Sequence, residues 1–374
     1  MTLLARHEDD LERLSAAHRL RSLAPRMGHD FSSNDYLGLA NDPRLANAAR
    51  AALDRGVGTG SGGSRLLRGN DPEHETLEAE AARFFGSENA LFFGSGFAAN
   101  VALLATLPQS GDLIVHDALA HASTHDGMRL GRAPRIAAAH NDAQAFEDVI
   151  AGWRREGGTG TPWIAVESLY SMDGDRAPLA DLAAIAERHD AMLLIDEAHA
   201  TGVFGAHGGG LAEMLEGREN VVTLHTLGKA LGCEGALVCL PKTLRDFLIN
   251  RARGFIFSTA PSPLMAAVAR AALALVEDAP DMRASLTNLS AHAAEKLARH
   301  GATTSGSQII PLILGDDGRT MAVATALQAR GFDVRGIRPP TVPPGTARLR
   351  ISITLNVDEA AIDGLDVALV DALA

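Results

Sequence analysis

Between Asp71 and the 270s the chain alternates short apolar runs with longer stretches of helical pattern, and few architectures accommodate that alternation. The runs are ALFF (90–93), LIVH (113–116), WIAVES (163–168), MLLID (192–196), VVTLH (221–225) and ALVCL (236–240). Helical patterns fill most of the gaps, at 98–107, 143–155, 181–189 and 243–252. Before the first run, DPEHETLEAEAARFF opens with an Asp-Pro helix-start signal. Continuous apolar strands separated by helices predict a mostly parallel sheet covered on both faces, an α/β class. Ligands of such sheets bind beyond the carboxyl ends of the strands. The polar residues that close the runs are therefore the candidate site residues.

On either side of this region the pattern changes. Residues 8–24, with Leu11, Leu14, Leu20 and Leu23 between charges, predict an amphipathic helix. FSSNDYLGLANDP reads as turns, and Pro43 to Leu53 as a helix. After Pro261 come helices near 263–277 and 283–299, a run IIPLIL (309–314), a helix at 319–330, a strand ARLRISIT (347–354) and a last helix from 358. A length of 374 residues suits two domains. The expected division is an arm at 1–40, a large domain at 41–275 and a smaller α/β domain at 276–374.

Composition removes several classes of function. A formal net charge of −12 argues against nucleic-acid and anionic-membrane partners, which require a basic surface. No 18-residue apolar stretch occurs, and the acidic MTLLARHEDDLERL is unlike a signal peptide, so the expectation is a cytoplasmic protein. The two cysteines, Cys233 and Cys239, form neither a disulfide framework nor a metal-ligand spacing, and no metal is expected. Gly58, Gly60 and Gly63 match GxGxxG, but a helix rather than a strand precedes them, so a dinucleotide site is not expected there.

The runs end in groups that suit one chemistry. Only three of the 34 cationic Lys and Arg residues are lysines, at 229, 242 and 296. Lys229 lies in TLGKALG just past the run at 221–225, where an amine among apolar neighbours can attack a carbonyl as arginine cannot. MLLID closes on Asp196-Glu197-Ala198-His199. A strand-end aspartate is commonly a helix cap. The DEAH string also occurs in a helicase class, but the GxxxxGK[ST] loop which that class requires is absent from the chain. The remaining reading pairs Asp196 with a pyridinium nitrogen and sets His199 near the ring's phenolic oxygen. FFGSGFAAN follows a strand and opens a helix, offering backbone N–H groups around Gly96 and Phe97 to an anion, or forming a plain strand–turn–helix. His121 and Ser171 follow the runs at 113–116 and 163–168. Arg338 and Arg350, in IRPPTVPPGTARLR, suit a bidentate carboxylate clamp.

The strings FSSNDYLGL, GSGGSR, SGFAAN, HAS, HND, SMDGD, DEAHATGVFG, TLGKALG, FSTAPSP and IRPPTVPPGTARLR together resemble the α-oxoamine synthases. These are pyridoxal 5′-phosphate (PLP) enzymes of the aspartate-aminotransferase-like fold, PLP fold type I. The resemblance runs from about Arg21 to the C-terminus. It implies a large, mostly parallel seven-stranded sheet domain and a smaller C-terminal domain. It implies that Lys229 carries the cofactor and later moves the substrate α-proton, that Asp196 faces the ring nitrogen, and that His199 and Ser171 neighbour the phenolic oxygen. By the same resemblance His121 stacks on the ring and Gly96, Phe97 and Thr226 hold the phosphate, with Ser258 and Thr259 reaching in from a partner subunit of a homodimer. Arg350 takes the amino-acid carboxylate, and Arg21, Asn34, His121 and Thr341 belong to the substrate site. IIPLILGDD and the IRPPTVPPGTARLR string favour the member that condenses L-alanine with pimeloyl-CoA or a pimeloyl-carrier protein in biotin biosynthesis. Competing readings are a relative using glycine or serine with another acyl-CoA, an ordinary aminotransferase, and a non-catalytic module retaining the fold. Two departures from the family pattern stand out: a short segment between Arg21 and Phe31 lacking an early strand, and an acid, Glu234, beside the lysine loop.

Overall fold

The computed structural model describes residues 3–374, which form two compact units. One comprises the chain up to Tyr36, Met172–Asp175 and Ala284–Ala374; the other, larger one comprises Leu37–Ser171 and Arg176–Arg283.

The chain begins with helix α1 (Ala5–Ala16) and the two-residue strand β1 (His29–Asp30). The helix expected over 8–24 thus ends early. Its termination coincides with His18 at φ +57°, and α1 buries none of its side chains, so Leu11 has no core to dock on. Leu20 and Leu23 lie beyond it in exposed, extended chain.

The larger unit continues with α2 (Pro43–Asp54), α3 (Pro72–Phe85), β2 (Asn89–Phe93), α4 (Gly96–Thr106), β3 (Leu113–Asp117), α5 (Ala122–Leu130), β4 (Arg135–Ala138) and α6 (Ala143–Arg155). Next come β5 (Pro162–Glu167), α7 (Leu179–Arg188), β6 (Met192–Asp196), β7 (Val221–Thr226), β8 (Ala236–Leu240), α8 (Lys242–Arg251), the single turn α9 (Arg253–Ile256) and α10 (Pro263–Glu277). The expected Asp-Pro start is present: Asp71 accepts from the Glu73 amide while Pro72 occupies the first helical turn. Past α11 (Pro280–Ala298), the smaller unit holds β9 (Ile309–Gly315), α12 (Asp317–Ala329), β10 (Phe332–Asp333), β11 (Arg335–Ile337), β12 (Ala347–Ser352) and α13 (Glu359–Leu373).

Seven strands form the sheet of the larger unit in the order β2-β8-β7-β6-β5-β3-β4. Only β8 runs antiparallel to its neighbours. The six apolar runs are six of these strands. The seventh, β4, went unread because RIAA is a four-residue edge strand with three of its residues exposed and no apolar run to mark it. Helix α5 escaped for a related reason: ASTHDGMRL carries a glycine and few large apolar residues. One sheet face packs Leu91, Ile114, Leu194 and Leu224 against Leu103 and Leu104 of α4. The other packs Leu113, Ile164, Leu193 and Ile195 against Phe146 and Ile150 of α6 and Leu182 of α7. Burial on both faces is the reason the central strands are apolar throughout.

The glycine-rich segment 56–69 is irregular, lies between two helices, and is tied down by Ser61 Oγ on the Pro261 carbonyl and Ser262 Oγ on the Thr59 carbonyl. Helix α2 precedes it directly and α3 follows. In the smaller unit, β12 pairs antiparallel with β11 and β9, and β1 pairs with β10 over two residues only.

Gly235 leads into β8 at φ +108°, and a Cβ there would sit 2.5 Å from Phe92 Cε2 and 2.9 Å from the Phe93 carbonyl oxygen. Its own carbonyl accepts from the Leu227 amide at 2.9 Å, closing the lysine loop. Gly235→Ala is expected to cost about 2 kcal/mol or more in strain and displaced packing, read as a lowered midpoint in denaturant unfolding with an unchanged slope.

Candidate active site

Parallel strands β5, β6 and β7 end at Glu167, Asp196 and Thr226; Glu167 pairs with Asp196, and Asp196 with Leu224, so β7 runs two residues further. Asp196 is 6% exposed and accepts hydrogen bonds on both oxygens, from Asn100 Nδ2 at 2.6 Å and from the Ala198 amide at 2.9 Å. Both carboxylate oxygens are thereby fixed in place.

The Asn100 amide group also donates to Ser123 Oγ at 3.0 Å, and Ser123 Oγ lies 2.7 Å from His121 Nδ1. A hydrogen-bonded line therefore runs from Asp196 through Asn100 and Ser123 to His121. The Ser123 backbone N–H points at the same Nδ1 at 3.2 Å. Because an amide can only donate, Nδ1 carries no proton, and neutral His121 holds its proton on Nε2. Its pKa is lowered, first by the protein crowded about it and then by the Lys229 charge, against the pull of Asp196. By surface area the residue is nonetheless open to solvent, and Phe97 meets its ring edge-on at 6.5 Å.

Lys229 is half-buried in the loop after β7, with Nζ 2.8 Å from Nε2 of the buried His199. The two other lysines stand on helices in ion pairs with Asp246 and Asp363. At the start of α4, Ser95 Oγ caps the Ala98 amide, while the N–H groups of Gly96 and Phe97 find no acceptor among the described residues. Thr226 Oγ1 lies 3.6 Å from where a Cβ on Gly96 would be, so a hydroxyl and two helix-N-terminal amides share one place. Ser171 is half-buried, and its amide donates to Glu167 Oε2 at 3.2 Å.

Ser258 and Thr259 are not joined to these groups by any hydrogen bond of the described chain. Both are exposed on the segment between α9 and α10, with Ser258 Oγ on the Thr259 carbonyl at 3.3 Å. In the smaller unit, Arg350 on β12 is buried and donates to Ser352 Oγ at 2.6 Å, Asn34 Oδ1 at 3.1 Å and the Tyr36 hydroxyl at 3.3 Å. Exposed Arg21 reaches Thr341 Oγ1 at 3.4 Å. Arg348 is paired with Asp173, and buried Arg338 lies beside Met321, its pKa lowered by burial and then by Arg21. Glu234 faces solvent.

Asn100, Ser123, Glu167 and Glu197 escaped the sequence reading. Asn100 carried a usable signal, a lone amide in the otherwise apolar helix GFAANVALLAT. Glu197 accepts the Leu211 and Ala212 amides at 2.9 and 2.7 Å; burial pushes its pKa up to about 8.

A family model for class I and II aminotransferases matches residues 27–365. The chain belongs to that family. It is 43% identical to an 8-amino-7-oxononanoate synthase of Anaeromyxobacter dehalogenans over 96% of this chain and 93% of that one. It is 47% identical to one from another Anaeromyxobacter strain, Fw109-5, over 92% and 86%. Among solved structures, a serine palmitoyltransferase from S. paucimobilis with a bound PLP–myriocin aldimine superposes at a TM-score of 0.91 with 26% identity, covering 100% of this chain and 98% of that chain. An 8-amino-7-oxononanoate synthase from Francisella tularensis superposes at 0.78 with 28% identity, over 92% and 98%. The fold is the PLP-dependent aminotransferase-like one, and the cofactor is PLP. The donor set fits that group: an amine, a carboxylate with both oxygens hydrogen-bonded, and unpaired amides beside a hydroxyl. No helix among the described residues is long and apolar enough to cross a membrane.

Asn100→Ala removes a charge-assisted bond to Asp196. It is expected to weaken PLP binding by roughly 10- to 100-fold, measured by fluorescence titration of the cofactor-free protein.

Proposed function

We propose that the chain condenses L-alanine with a pimeloyl thioester, releasing CO2 and the free thiol carrier and yielding 8-amino-7-oxononanoate for biotin biosynthesis. The observation that carries this reading is the Lys229 amine against His199, in the same cluster as the Asp196–Asn100–Ser123–His121 line. The names borne by relatives sharing 43–47% of their residues over most of the chain support the choice of substrates.

Bound PLP supplies a carbonyl to capture the amino acid and an electron sink for the pair left at its α-carbon. Each residue serves that sink. Lys229 is the residue that would hold the cofactor, and its Nζ, once freed, would take the α-proton of the bound amino acid. Asp196 faces the ring nitrogen and keeps it protonated, with Asn100 and Ala198 fixing the carboxylate. His199 and Ser171 would sit at the phenolic oxygen, and neutral His121 would stack on the ring face. The N–H groups of Gly96 and Phe97, with Thr226 Oγ1, receive the phosphate. Ser258 and Thr259 complete that site in a second copy of the chain, which makes the enzyme a homodimer with active sites at the interface; their exposure within one chain supports this. Arg350 takes the alanine carboxylate, and Arg21, Asn34, His121 and Thr341 belong to the substrate site. Carbon–carbon bond formation expels the thiol, and the resulting β-keto acid loses CO2.

The test is CO2 and thiol release by the PLP-loaded enzyme with alanine, glycine or serine, each offered with pimeloyl-CoA and with a pimeloyl-carrier protein. Turnover with alanine is expected from at least one donor, with the other amino acids far slower; a preference for glycine or serine overturns the assignment. Lys229→Ala is expected to lose roughly 10³-fold or more of the activity together with the yellow colour of the loaded protein. Sedimentation finding a monomer with full cofactor occupancy removes the shared-site arrangement.

A further inference from the structure

Glu167 takes no part in the reaction just described, yet it is 4% exposed at the end of β5, in register with Asp196 at the end of β6. Adjacent strands lie about 4.8 Å apart, and residues in register project to the same side. Two buried carboxyls so placed resist ionising together. The two differ in their donors. Asp196 receives two, while Glu167 receives one, the Ser171 amide on Oε2, and its Oε1 is buried without a partner among the described residues. Burial, then the Asp196 charge, pushes the Glu167 pKa up to about 8 despite the opposing pull of Lys229. The neighbouring titratable groups do not reverse this. Asp117 at the end of β3 is of the same sign and is paired with His140 at 2.8 Å; Glu197 is turned toward the Leu211 and Ala212 amides; His121 has a lowered pKa; His199 faces Lys229.

We propose that Glu167 is a positioning residue acting as a carboxylic acid: Oε2 fixes the Ser171 amide, and the Oε1 hydroxyl donates to the phenolic edge of the cofactor. Asp196 is then the one negative charge presented to the ring from these strand ends. The inference rests on the placement of Ser171 and Asp196 about PLP given under Proposed function. An ionised Glu167 would turn a donor into an acceptor and set a second anion against the phenolic oxygen.

The experiment compares wild type with Glu167→Gln, which keeps shape and a donor but cannot ionise. In cofactor-free protein the folded chain holds this proton more tightly than the unfolded chain. Stability is therefore lost as pH rises from the ordinary carboxylate range toward 8. Denaturant midpoints from pH 6 to 9 are expected to fall further for wild type than for the variant. In the second arm PLP dissociation constants are measured for both proteins. They are expected to agree within about threefold at pH 7 and to diverge by about fivefold by pH 9, the wild type being weaker, as a shift of one unit in proton affinity from about 8 requires. Parallel midpoints, or a ratio of dissociation constants flat with pH, overturn the inference while leaving the cofactor site intact. If neither protein takes up PLP, the cofactor reading falls, and this inference falls with it.

Discussion

Backbone pairing between β5 and β6 brings Glu167 opposite Asp196, and pairing between β6 and β7 brings Asp196 opposite Leu224, two residues short of Thr226. The arrangement of charges in the larger unit depends on that register. A slip of one residue on β6 would turn Asp196 to the opposite face, toward the core formed with α6 and α7, and put Ile195 in its place. The apolar burial on both faces guards the register, since each slipped residue would exchange one packed environment for the other. Hydrophobic packing thus aims the chemistry without including any of the reacting groups.

Much of this was legible in the sequence because strand ends are conspicuous. An apolar run that stops at Asp196, or a lone lysine after Val221–Thr226, marks a place where the chain leaves the core. Six of seven strands were readable on the same ground. What stayed hidden sits inside elements or fails to contrast with them. Asn100 and Ser123 act from helices, and nothing in a one-dimensional pattern says that residues 96 apart, Asn100 and Asp196, share a bond. Glu167 closes a strand whose last visible signal was the following serine. Edge strand β4 had no apolar run to display. The helix read over 8–24 is present but stops at Ala16: the leucine spacing continues past it, yet α1 buries none of its side chains, so no packing extends it.

The use of cations follows a division of labour. Arginine serves permanent pairing, as in Arg65 with Glu78, Arg270 with Glu73 and Glu80, and Arg348 with Asp173. A guanidinium stays charged at any accessible pH and so suits fixed contacts. Lysine, rare in this chain, faces an imidazole at position 229, where an amine able to give up its proton is useful.

The position of β8 has a consequence for biosynthesis. It is the last strand of its sheet in the chain, yet it lies between β2 and β7 and is the only partner β2 has. Residues 89–93 must wait for residues 236–240 before their backbone groups are paired, so one edge of the sheet closes across nearly the whole span of the unit. Contacts this distant in sequence slow folding because the loop must be ordered before its pairing rewards it. On the ribosome β3, β5, β6 and β7 can assemble as they emerge, whereas β2 and the start of α4, with its free amides, are pinned only after β8 arrives. Completion of the sheet is therefore coupled to the arrival of β8, and a chain interrupted before Leu240 holds Lys229 without the strand that follows its loop.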